Sequence, residues 1–255
     1  MSSDTDGPTG KGSDLAPTTF ETASHPAHPE AGSDMVSGLV AAVKPRLRGW
    51  LHLAMFPVAV VGGLMLILIS DPGAVRHASV IFTVSAALLF GVSAIYHRGT
   101  WGPRASALLK RLDHSNIYLV IAGTYTPFAV TLLPADQART LLTVIWGGAI
   151  AGVLFRVFWV GAPRWLYTAL YIALGWAAIF YVVPFWKQGG PLIGSLIAVG
   201  GLLYTAGGVI YGTRRPNPWP RWFGFHEVFH AFTLGGFLTH FVAVVLAVIG
   251  YRAAA

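Results

Sequence analysis

A chain of 255 residues with 55% apolar side chains and only 11% charged ones is far more apolar than a soluble domain, where about 25% of residues are charged, and it reads as an integral membrane protein. The absence of cysteine excludes disulfides and thiolate metal sites, leaving imidazole, carboxylate and water for any transition metal. The net charge of +7 does not point to nucleic acid: residues 1–34 carry six acids against Lys11, so the excess lies further on, in short loops where lipid and membrane insertion explain it.

In chain order, residues 1–44 are expected to form a disordered acidic cytoplasmic tail. Their first 34 positions are rich in Gly, Pro, Ser, Thr and Asp and nearly free of large apolar side chains, too few to offset the entropy of ordering a backbone. This opening has neither the basic start nor the apolar core of a signal peptide. Seven apolar runs follow, at 51–70, 78–97, 114–133, 140–159, 165–186, 192–211 and 226–250, each near the ~20 residues a helix needs to cross a bilayer. Pro and Gly punctuate the gaps, as in Asp71-Pro72-Gly73 and Gly189-Gly190-Pro191. The expectation is an all-α, seven-transmembrane helix bundle over residues 45–255.

Lysine and arginine divide unevenly between alternate loops. Lys44, Arg46, Arg48, Arg98, Arg104, Lys110, Arg111, Arg156, Arg164, Arg214, Arg215 and Arg221 fall on one side; Arg76, Arg139, Lys187 and Arg252 fall on the other. The positive-inside bias puts the N-terminus in the cytoplasm and the C-terminus outside.

With that orientation the polar residues of three runs meet at one depth. His226 and His230, four apart, share a face of the last run; His97 ends the second run and Asp113 opens the third, all at the cytoplasmic end. Ser93 lies one turn before His97, about 6 Å deeper. Ionisable residues in a membrane are costly and by default face the bundle interior and mark function. Three histidines with water in the fourth position is the open geometry of catalytic zinc, which lowers the pKa of its water to about 7. Asp113 would hold or deprotonate that water, and Ser93 would orient a ligand or contact substrate. The alternative is buried histidines satisfied by backbone carbonyls, with Asp113 paired to Arg111.

His226-Glu227-x-x-His230 matches the metalloprotease pattern in part. Gly236 and Thr233 stand where its extended form needs His and Gly, so Glu227 is read mainly as a helix-start residue favoured by the helix dipole. His240, about 15 Å along the axis from His230, is too far to share the metal and is expected to be a buried, hydrogen-bonded histidine. His114 is assigned a bundle contact, His52 and His77 interfacial positions at helix ends, and Trp219-Pro220-Arg221-Trp222 an interfacial anchor.

Three motifs together resemble the progestin and adipoQ receptor family, most closely its bacterial hemolysin III branch. They are Ser93-x-x-x-His97, Arg111-Leu112-Asp113-His114-Ser115 running into Ile121-Ala122-Gly123-Thr124-Tyr125-Thr126-Pro127-Phe128, and His226-x-x-x-His230 with His240 beyond. The resemblance implies a seven-helix bundle with cytoplasmic N-terminus, zinc on His97, His226 and His230, Asp113 touching the zinc-bound water, and a likeness to alkaline ceramidases. The leading expectation is a zinc-dependent hydrolase of a lipid amide or ester in the cell membrane, a bacterial plasma membrane, with membrane lipids as partners. The alternatives are a lipid sensor braced by zinc and a cytolytic protein.

Overall fold

The computed structural model describes residues 45–159 and 161–254; the expected acidic tail lies outside them. Every regular element among the described residues is helical, apart from one isolated bridge between Trp219 and Phe223. The helices are α1 (Trp50–Ile69), α2 (Ala74–Arg98), α3 (Pro103–Leu132), α4 (Ala135–Phe158), α5 (Arg164–Gly175), a 3-10 segment (Trp176–Tyr181), α6 (Val182–Thr213) and α7 (Phe225–Ala254). Among the described residues, five stretches are long and apolar enough to cross a bilayer: α1, α2, α4, the 50-residue stretch Arg164–Thr213, and α7.

The peripheral helices bury narrow stripes. On α4 the buried positions are Leu141, Ile145, Ala149, Gly152 and Arg156, three or four apart as one helical face requires. Val144, Ile150 and Leu154 lie exposed between them, as does Phe180 of the 3-10 segment, 83% open. So much outward-facing apolar area is unfavourable in water and natural in lipid.

The 30-residue α3 is the reverse. From Asp113 to Leu132 most of its side chains are buried, among them Asp113, His114, Ser115, Asn116, Thr124 and Thr126, because α2, α4, α5, α6 and α7 all pack against it. A helix enclosed by other helices has no lipid to satisfy and tolerates polar residues. It also starts earlier than its apolar run, at Pro103, which is at the first turn where a missing N–H costs nothing. The hydroxyls of Thr124, Thr126 and Thr131 donate to carbonyls one turn back.

The expected break between the fifth and sixth runs falls at Gly190, whose φ of 71° and ψ of 176° leave the helical region inside α6. A second irregularity has no counterpart in the apolar pattern: the run expected at 165–186 tightens into a 3-10 segment at Trp176. Its cause is a side chain from α3. The Tyr125 hydroxyl donates to the Gly175 carbonyl at 2.6 Å and accepts from the Ala178 N–H at 2.6 Å, bridging two backbone groups three residues apart and drawing both away from their i→i−4 partners.

Close approach of α3 and α4 depends on Gly152. A Cβ there would stand 2.3 Å from Cε1 of the buried Tyr118 ring. Gly152→Ala is therefore expected to cost about 1–3 kcal/mol through overpacking. Gly147→Ala on the same helix, with nothing within 4 Å of its Cβ, should hold or raise stability, since alanine is the better helix former by ~1 kcal/mol. Thermal unfolding of the two variants in detergent checks this; equal transition temperatures would mean that the ring yields freely.

Candidate metal centre

One end of the bundle, where α1, α3 and α7 begin and α2 ends, is fastened by its loops. Arg46 and Leu47 donate backbone N–H groups to the carbonyls of Arg221 and Trp222 at 3.0 and 3.2 Å, and the Arg46 guanidinium lies 4.4 Å from the Trp222 ring centre. The loop expected as an interfacial anchor thus also ties the start of α7 to the start of α1. Gly49 enters α1 with φ 82° and would place a Cβ 2.8 Å from that of His97, so a side chain there would push α1 off α2.

Glu227 closes the first turn of α7. Its Oε2 accepts the Gly224 N–H at 2.8 Å, the reach-back half of a capping box, and its Oε1 accepts from Arg48 Nε. Asn217 Oδ1 takes the Phe225 N–H at 3.0 Å. Both carboxylate oxygens of Glu227 are thus engaged, matching the helix-start reading over that of a base.

With α7 so placed, His226 and His230 point at His97. One ring nitrogen of each of these three buried histidines lies within 4.8 Å of the others, and Nε2 of His226 is 3.1 Å from Nε2 of His97. Asp113 Oδ2 stands 3.6 Å from His97 Nε2, so the carboxylate approaches the triad rather than Arg111. Ser93 is buried on α2 one turn deeper, and its hydroxyl has no hydrogen-bond partner.

The donor set suits a divalent cation. Two nitrogens at ordinary Zn–N distances about one tetrahedral ion sit roughly 3.4 Å apart, close to the 3.1 Å between His97 and His226. Buried imidazoles, a carboxylate and an orphaned hydroxyl turned on one small volume form an acceptor-rich pocket, which a cation relieves.

Three residues are placed differently from expectation or were missed. His52, expected at the interface, is buried: its ring stacks on His230 at 3.8 Å, nearly parallel, and meets Phe90 edge-on. The legible signal was its place in the buried stripe His52-Met55-Ala59 of α1. Arg156, expected in a charged loop, is buried at the end of α4, bonded to Nδ1 of His114 at 2.6 Å and lying 4.6 Å from the Tyr167 ring centre. His114 is accordingly the bundle contact expected of it, completed by Tyr211 at 3.4 Å from its Nε2. Tyr211 also borders the triad, its ring 5.8 Å from that of His226.

The triad opens on a cavity of about 430 Å³. Ser93, Asp113, His226 and His230 line one end; Tyr204 and His240 lie further along α6 and α7, and the walls between are largely apolar. Trp176, Ile179 and Leu202 line it while also being exposed on the outer surface, so the 3-10 segment and α6 form a thin wall there.

Fold and site define a class: a multi-pass helical membrane protein that gathers a buried three-histidine group at one end of its bundle. Comparison with known sequences narrows it. Residues 40–241 match the haemolysin-III-related family, and the chain belongs to that family. It is 35% identical over 164 residues to the hemolysin-3 homolog of Bacillus subtilis (strain 168), covering 64% of this chain and 74% of that one. The hemolysin-3 of Bacillus cereus is 35% identical over 175 residues, 68% of this chain and 75% of the relative. The heptahelical transmembrane protein ADIPOR2 of Oryza sativa subsp. japonica is 29% identical over 189 residues, 68% of this chain and 82% of the relative.

Purified protein is expected to carry close to one divalent ion per chain by elemental analysis, and His97→Ala, His226→Ala or His230→Ala should each lose it. His52→Phe, which keeps a flat ring against His230, should retain the ion. Retention of metal by any of the triad variants would remove that residue from the ligand set.

Proposed function

We propose that this protein is a zinc-dependent hydrolase of a lipid amide or ester, crossing a bacterial plasma membrane seven times with its N-terminus in the cytoplasm. Seven crossings follow if the enclosed α3 counts as a span and the 50-residue stretch Arg164–Thr213 is divided at Gly190; the word heptahelical in the rice relative's name agrees. The orientation rests on the loop charges and places the histidine triad at the level of the inner headgroups.

The observation that carries the catalytic reading is that an apolar cavity about as large as ordinary ligand pockets, roughly 300–1,000 Å³, ends on His226, His230, Asp113 and Ser93, with His97 within 4.8 Å of the two histidines. A lipid tail fits the apolar length and its scissile carbonyl the polar end. Zinc held by the three histidines would polarise that carbonyl and make water acidic near neutral pH. Asp113 takes a proton as the water oxygen bonds to the acyl carbon, and returns it to the amine or alcohol as the acyl bond breaks. Ser93, whose hydroxyl lacks a protein partner, donates to the carbonyl oxygen as negative charge grows there. Tyr211 and His52 border the cavity beside the triad and exclude water.

A second reading, a lipid sensor in which the ion braces the bundle, draws on the same site, since its imidazoles come from α2 and α7. One experiment separates the two. Zinc-loaded, chelated and Asp113→Asn protein are compared for fatty-acid release from ceramide and phospholipid, with bound metal measured alongside. Hydrolysis predicts release by the loaded form, loss on chelation, and a fall of about 10²–10⁴-fold for Asp113→Asn with metal retained. Release no greater than from denatured protein, together with unfolding on chelation, favours the brace.

Because the chain has no cysteine, topology is checked with single introduced cysteines. One at Arg46 should resist an impermeant thiol reagent applied to intact cells and one at Ala135 should react; the reverse pattern would invert the proposed orientation.

A further inference from the structure

The cavity has a second polar point, away from the triad. His240 Nε2 lies 3.0 Å from the Ile197 carbonyl, an acceptor only, so that nitrogen carries the proton and Nδ1 of the neutral ring is left as an acceptor. Nδ1 is buried without a partner, and so is the Tyr204 hydroxyl. Both residues line the cavity, and their rings stand 5.5 Å apart. The His240 ring is held in place: Phe128 meets it edge-on at 5.9 Å. On another side Gly200 comes so close that a Cβ there would stand 2.2 Å from Cδ2.

Leaving two such groups unsatisfied is costly, in a wall that is largely apolar. They are also complementary in kind: Tyr204 offers a donor and His240 an acceptor. A hydroxyl answers both at once, giving its proton to Nδ1 and accepting from Tyr204, whereas a keto group answers only the tyrosine.

We propose that His240 and Tyr204 form a subsite for a hydroxyl carried part-way down a lipid chain, so that the cavity selects hydroxylated chains over plain ones. The inference rests on the reading that a lipid tail occupies the cavity. His240 follows His230 by ten residues, about 15 Å along α7. The hydroxyl recognised is therefore remote from the carbonyl end, in the middle of the tail.

The test is competition for full-length protein in nanodiscs between a fluorescent fatty acid and either oleic acid or ricinoleic acid, which differ by one mid-chain hydroxyl. Ricinoleic acid should bind about tenfold more tightly to the native protein, as one or two added hydrogen bonds predict. Tyr204→Phe should reduce the preference and Tyr204→Phe with His240→Leu should abolish it, with oleic acid binding unchanged. A hydroxyl beside the carboxyl group should bring no advantage. Equal binding of the two acids to the native protein would overturn the subsite and leave the lipid-filled cavity standing, as when ordered water already satisfies both groups. A preference that survives the double variant would also overturn it. If oleic acid fails to compete at all, the lipid reading of the cavity falls and the subsite with it.

Discussion

Polar nitrogens buried in an apolar bundle must be answered by something, and at one end of this protein four imidazoles share that constraint. His97, His226 and His230 converge within 4.8 Å, and His52 lies flat against His230. Their position follows from backbone bonds that tie the loop before α7 to the segment before α1, from Glu227 closing the turn that presents His226 and His230, and from a bare Gly49 beside His97. Loosening any of these would separate rings that come from different helices.

Around that end the protein separates its polar work by depth of enclosure. α1 and α4 meet their surroundings with large aliphatic side chains and bury one stripe, so their sequences look like membrane spans. From Asp113 on, α3 is largely enclosed by other helices, and its composition there is set by what its neighbours need. Asn116 donates to the Leu88 carbonyl on α2 at 3.0 Å, Tyr125 interrupts the ladder between α5 and α6, and Asp113 faces the triad. Each of these lowers the apolar content that would mark the helix as a span, and each is possible because these side chains are buried among other helices.

Arg156 illustrates the same logic in a less expected place. A guanidinium buried beside His114 and over Tyr167 is answered in part, by the negative charge density of the aromatic face and by the imidazole lone pair at Nη2, while Nε and Nη1 have no hydrogen-bond partner. It orients His114, which in turn reaches Tyr211 at the margin of the triad. The polar end of the cavity is therefore held from α4 and α6 as well as from the helices that supply the histidines.

The amino-acid sequence alone determined that the chain is helical and built for a membrane, since apolar runs of bilayer length are a property of composition and need no neighbours. It also made His97, Asp113, His226 and His230 legible as a group, because four-residue spacing fixes a shared helical face and alternate crossings bring run ends to a common depth. Single-chain periodicity carries no information on which face of one helix meets which face of another. Only the tertiary structure therefore decided that His52 stacks on His230, that Arg156 leaves its loop for the interior, and that Tyr125 turns part of the fifth run into a 3-10 segment. For the same reason it alone decided that His240 and Tyr204, 36 residues apart on separate helices, line one cavity with unanswered polar atoms.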